Sequence, residues 1–203
     1  MGPTDFFEQS ARARGFRRIA GLDEAGRGPL AGPVVAAIVI LPRRWSPALL
    51  DDSKLLSEQQ RQTLYEAITT RAFAWAIGTA SEQEIDSLNI LGATRLACCR
   101  ALEQLSISPD YLLLDALHLP TVSVPQRPVI KGDQLSLSIA AASVLAKVSR
   151  DRMMHAYHER FPQYQFHLHK GYPTPDHIRR LHQFGPCPGH RRSFWPVLAY
   201  LDD

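Results

Sequence analysis

Residues 34–41, VVAAIVIL, form the longest apolar run in the chain. Eight residues fall far short of the ~20 that span a bilayer. The β-branched content instead fits a strand covered on both faces. A sheet with helices on its two faces is therefore the architecture to test. Other segments supply the parts. Strands are expected at 17–22, 72–80, 111–114 and 129–131. Ser57 with Gln60, and Ser81 with Glu84, form capping boxes. They open one helix over about 58–70 and a helical region reaching about residue 105. A long helix over about 135–158 contains the small-residue stretch IAAASVLA, which permits close approach to a sheet. Pro162 stops it, residues 120–128 and 167–169 read as loops, and Pro173 and Pro175 precede a last helix to about Phe184. The order predicts an α/β fold: a mixed five-stranded sheet flanked by helices. It occupies one domain, 1–203, with a helical C-terminal extension from about residue 160.

Charge is distributed unevenly. The net charge is +3, yet residues 147–192 hold nine Lys or Arg against three acids, and seven of the eight histidines. A basic quarter on a balanced body suggests a polyanionic partner; a solvated basic helix surface is the plainer alternative. The N-terminal residues MGPTDFFEQSARARG lack an apolar signal core. Three cysteines, two of them adjacent (Cys98 and Cys99), exclude a disulfide framework. A cytoplasmic location is expected, without membrane attachment.

Four carboxylates share a position relative to the expected strands. Asp23 and Glu24 follow the first, Asp115 ends the fourth, and Asp133 follows the fifth and opens a helix. Unpaired carboxylates at the ends of buried strands are costly. Each has an ordinary explanation: Asp133 as a helix N-cap, Asp115 as a surface turn, Asp23 and Glu24 as strand neighbours facing opposite ways. If the strand ends converge, like charges ~4 Å apart repel by about 4 kcal/mol at an effective dielectric of 20 and require cations. All-oxygen sites suit Mg²⁺ or Mn²⁺, and no Cys or His spacing here matches a zinc site. Such a cluster suits phosphodiester hydrolysis.

Several residues near these acids could reach a substrate. The glycines of Gly26–Arg27–Gly28 permit backbone contact with a ligand, or serve only a tight turn. Lys54 could hold a phosphate or stay solvated. Lys147 and Arg150 share a helix face, possible lining for a channel or partners for Asp151. Tyr172, beside Lys170 in a Pro-rich loop, could stack on a base or sugar, or pack the loop down.

Together these residues resemble ribonuclease HII, the bacterial type 2 ribonuclease H. Seven blocks match in order between about Arg17 and Val197: GLDEAGRGPLAGPV, DSK, LLLDA, IKGD, SIAAASVLAKVSRD, HKGYPT and HRRSFWPV. The resemblance implies a ribonuclease H-like fold. It implies a two-metal endonuclease using Mn²⁺ or Mg²⁺, acting on RNA–DNA hybrids and on ribonucleotides in duplex DNA. Cleavage would fall 5′ of the ribonucleotide, leaving a 3′-hydroxyl and a 5′-phosphate. Asp23, Glu24, Asp115 and Asp133 would be the metal-binding and catalytic acids. The backbone of Gly26, Arg27 and Gly28 would contact the 2′-hydroxyl, Tyr172 would stack on the following sugar, and Lys54 would hold a phosphate. Lys147 is a further substrate-binding candidate. Leu55 stands where the family usually has a second lysine, which weakens the expected phosphate contact. Only 22 residues precede Asp23, unlike the type 3 enzymes with their added N-terminal domain. A monomer is expected. Gln134–Leu135–Ser136–Leu137 resembles sliding-clamp-binding peptides only faintly, and no clamp contact is expected.

Overall fold

A computed structural model describes residues 2–43, 45, 50 and 56–200. Five strands build one sheet: β1 (Ile19–Ala25), β2 (Val34–Ile40), β3 (Ala74–Ala80), β4 (Tyr111–Asp115) and β5 (Gln126–Val129), in the order β3-β2-β1-β4-β5. β1–β2 and β2–β3 pair antiparallel; β1–β4 and β4–β5 pair parallel, so the sheet is mixed as expected. Every residue of β2 is buried.

Helices α1 (Phe6–Ala13), α2 (Glu58–Arg71), α3 (Glu82–Gln104), α4 (Gly132–Leu135), α5 (Leu137–Arg160), α6 (Phe166–His169) and α7 (Pro175–Phe184) surround it. Leu22, Val34, Ala36 and Ile38 meet Ala93, Ala97 and Ala101 of α3 on one face. Ala37 and Val39 meet α5, with Leu64 and Ile68 of α2, on the other. Close approach depends on two glycines. A Cβ on Gly21 would lie 2.1 Å from the Ser138 carbonyl carbon, and one on Gly78 2.0 Å from the Ala97 oxygen. No helix among the described residues is long and apolar enough to cross a membrane.

Both capping boxes form, at Ser57/Gln60 and Ser81/Glu84. Several boundaries differ from expectation. β1 continues through Ala25, because its pairing with β2 extends to Ala25↔Val35; Asp23 and Glu24 therefore lie within the strand. β5 is displaced to Gln126–Val129 and ends before Lys131, whose left-handed backbone (φ 57°) turns the chain into α4. The long helix starts at Leu137, after Ser136 leaves helical geometry to cap it. α3 is interrupted at Asn89 (φ 58°), whose side chain accepts the N–H groups of Leu91 and Gly92 and restarts the helix. Residues 167–169 belong to a one-turn helix rather than a loop. α1 has no counterpart in the sequence reading. Lys54 lies outside the described residues.

Candidate active site

Parallel pairing of β1 with β4 aligns Leu22 with Leu114, so Asp23 and Asp115 follow side by side on neighbouring internal strands. Asp23, Glu24, Asp115, Ser143 and Lys147 line one pocket of about 280 Å³ with Gly26, Arg27, Gly28 and Tyr172. Asp23 is 5% exposed and accepts the Glu24 N–H at 2.8 Å. Burial, then the charges of Glu24 and Asp115, push its carboxyl well above the ordinary range, against a hydrogen bond from Ser143. Glu24 accepts from Arg27 at 3.3 Å. Cys98 is buried, and burial followed by the Glu24 charge pushes its thiol up.

Asp115 Oδ1 accepts the Gly132 N–H at 2.7 Å, which ties the end of β4 to the start of α4. It is thus no surface turn. Asp133, one residue on, is 3% exposed. It is not an N-cap: Lys131 holds that position for α4 and Ser136 for α5. It is not part of the pocket lining. The structure thus brings three of the four acids to one cavity and buries the fourth, next in sequence to the Gly132 that bonds Asp115. Among the described residues no three His, Cys, Asp or Glu side chains are drawn close enough to hold an ion unaided. The donor set is nevertheless all oxygen, and the mutual repulsion felt at Asp23 is what a divalent cation would relieve.

The turn after β1 is held from beneath. Gly26 (φ +96°) has no room for a side chain: a Cβ would lie 2.1 Å from Arg150 Nε. Arg150, 1% exposed, donates to the carbonyls of Pro33, Ala31 and Lys170. It is buried scaffolding rather than channel lining. Arg191, fully buried, donates to Gly32, Arg27 and Gly26 at 2.9, 3.0 and 2.6 Å. Burial lowers its guanidinium to about 9, so it stays charged at neutral pH. Tyr172 is 41% exposed, with its ring 3.9 Å from where a Gly28 Cβ would stand and 5.8 Å from the Arg150 guanidinium carbon. Lys147 both lines the pocket and pairs with Asp151 at 2.7 Å.

Arg191 and a buried histidine chain escape sequence reasoning. Cys187 N–H donates to His190 Nδ1, His190 Nε2 meets His177 Nε2 at 3.1 Å, and His177 Nδ1 meets the Tyr172 carbonyl at 2.9 Å. These partners assign one proton to each ring: His190 donates to His177, and His177 donates to Tyr172. Burial depresses His177 to about 4 and His190 to about 3. The only sequence signal was the crowding of histidines, which does not reveal their partners.

Comparison with known proteins identifies the family and the fold. The family model described as ribonuclease HII matches residues 20–197. A ribonuclease HII of Ruminiclostridium cellulolyticum is 54% identical over 188 residues, 93% of this chain and 74% of that protein. The ribonuclease H2 structure from Pyrococcus horikoshii superposes with a TM-score of 0.76 at 22% identity, covering 92% of this chain and 98% of the other. A Bst ribonuclease HIII structure in complex with Mn²⁺ gives 0.59 at 16% identity, covering 71% and 55%. With residues 20–197 matched by the family model and a relative of that name 54% identical over 93% of the chain, this chain belongs to the ribonuclease HII family and is a ribonuclease H-fold endonuclease.

Proposed function

We propose that this ribonuclease H depends on divalent metal, hydrolyses the RNA strand of RNA–DNA hybrids, and cuts on the 5′ side of ribonucleotides embedded in duplex DNA, leaving 3′-hydroxyl and 5′-phosphate ends. The observation that carries this reading is the meeting of Asp23, Glu24 and Asp115 with the Gly26–Arg27–Gly28 turn and Tyr172 in one pocket. Asp23, Glu24, Asp115 and Asp133 are the residues to hold Mg²⁺ or Mn²⁺. Water and substrate oxygens would complete the coordination, as such cations commonly require. The Mn²⁺-bound ribonuclease HIII of the same fold supports the choice of ion. The chemistry such ions supply is activation of water and stabilisation of the leaving oxygen.

The chain's own groups supply recognition. The backbone of Gly26, Arg27 and Gly28 meets the 2′-hydroxyl, the group that separates RNA from DNA. The half-exposed Tyr172 ring offers a face to the next sugar. Lys147, and Lys54 outside the described residues, meet phosphates, and the basic residues of the C-terminal extension add backbone affinity. We place the enzyme in the cytoplasm as a monomer, without a clamp contact.

The test is cleavage of a duplex bearing one ribonucleotide beside its all-DNA twin, with Mn²⁺, Mg²⁺ or EDTA, and the cut position mapped. Metal-dependent cutting of the first alone, 5′ of the ribonucleotide, is expected. Equal cutting of both would identify a general DNA nuclease of the same architecture; binding without cutting would identify a non-catalytic module.

A further inference from the structure

Arg191 lies 165 residues from Gly26, and both its backbone and its side chain are fixed there. Its N–H donates to the Leu30 carbonyl at 2.8 Å, and Gly32 N–H donates to Gly189 O at 2.9 Å. On its other side, the N–H groups of Arg192 and Ser193 bind the Asp86 carboxylate at 3.0 and 2.9 Å. The guanidinium then engages three carbonyls at once, those of Gly26, Arg27 and Gly32. A planar fork with five donors suits this task; an ammonium group does not.

A trans peptide is planar, with its C=O and N–H pointing in opposite directions. Fixing the Gly26 carbonyl therefore fixes the Arg27 N–H, and fixing the Arg27 carbonyl fixes the Gly28 N–H. Both amides must point away from the buried guanidinium. Arg27 and Gly28 line the pocket. A cation bonded to a carbonyl also polarises the attached N–H into a stronger donor. We infer that Arg191 is a positioning residue for substrate selection: by holding the Gly26 and Arg27 carbonyls, it aims the amides of Arg27 and Gly28 at the ribose 2′-hydroxyl oxygen. This rests on the proposed reading of the turn as the 2′-hydroxyl contact. Arg191 itself touches no substrate.

The experiment compares wild type with Arg191→Lys and Arg191→Gln, each checked by near-ultraviolet circular dichroism. Affinity for a single-ribonucleotide duplex and for its all-DNA twin is measured with Ca²⁺ as the only divalent cation, the duplexes being verified uncut. The expected result is a fall of about tenfold or more in the ribose-to-deoxyribose affinity ratio, with all-DNA binding unchanged. A general loss of structure would lower both affinities together and leave the ratio alone. A folded variant that keeps the wild-type ratio would overturn the assignment. Failure of both variants to fold would overturn it as well, by making Arg191 a residue of the whole fold. A wild-type protein with no ribose preference would instead sink the reading of the turn, and this assignment with it.

Discussion

Asp23 carries a conflict between stability and function. Its carboxyl is buried beside two like charges, so its proton affinity is raised in the folded state. A carboxyl of this kind makes the metal-free protein gain stability as pH falls through the raised value, the reverse of an ion-paired aspartate. Asp23→Asn keeps an oxygen to accept the Glu24 N–H and removes the repulsion. We expect it to raise metal-free stability by about 1–3 kcal/mol while abolishing turnover. Melting in EDTA, with and without added Mn²⁺, checks this: metal should stabilise wild type and leave the variant unmoved. A variant that melts below wild type in EDTA would contradict it. The acid pattern itself was legible in the sequence because carboxylates next to apolar strands stand out against the cost of burying them. The depth of Asp133 was not, because it depends on how α4 folds behind β4.

At the scale of elements, legibility followed locality. The capping boxes at Ser57 and Ser81 join groups three residues apart, so sequence alone identifies them. β5 was misplaced because it is a polar edge strand: Arg127 and Pro128 are exposed, and no apolar alternation marks them. The eight residues of α1 have little helical stability of their own. They are held by docking, with Ala11 joining Ile19 and Leu113. Glu8 Oε1 accepts from Ser136 Oγ, Ser138 N–H and Ser138 Oγ at 2.6, 2.9 and 2.6 Å. That carboxylate secures the corner between α5 and α4, the short helix that carries Asp133. Glu8→Ala should cost about 3 kcal/mol by stranding buried donors, and should slow turnover in the surviving folded protein. An unchanged urea midpoint would show that α1 is dispensable.

Across the whole molecule, the C-terminal quarter serves as more than a basic surface. Two of its histidines, His177 and His190, are buried and connected to the Tyr172 backbone. In the unfolded chain they titrate near 6.5, whereas His177 and His190 in the fold do so at about 4 and about 3. With depressed native values, the unfolded state binds protons first. Full stability therefore holds above ~6.5 and drains away as pH drops toward 3, at ~1.4 kcal/mol for each ring per tenfold change in its proton affinity. Melting temperature followed from pH 7 to 4.5 should fall steadily, before most carboxylates titrate, and the slope should shrink in His190→Gln. A flat profile would refute it. Composition revealed the charge asymmetry here but not this interior chain, since partners far apart in sequence leave no periodic trace.

The clasp of residue 191 on residue 26 also bears on biosynthesis. Because the arginine follows Gly26 by 165 residues, a nascent polypeptide displays the carboxylates of residues 23 and 24 before it owns the clasp that shapes the loop beside them. A chain truncated ahead of that arginine lacks the clasp altogether.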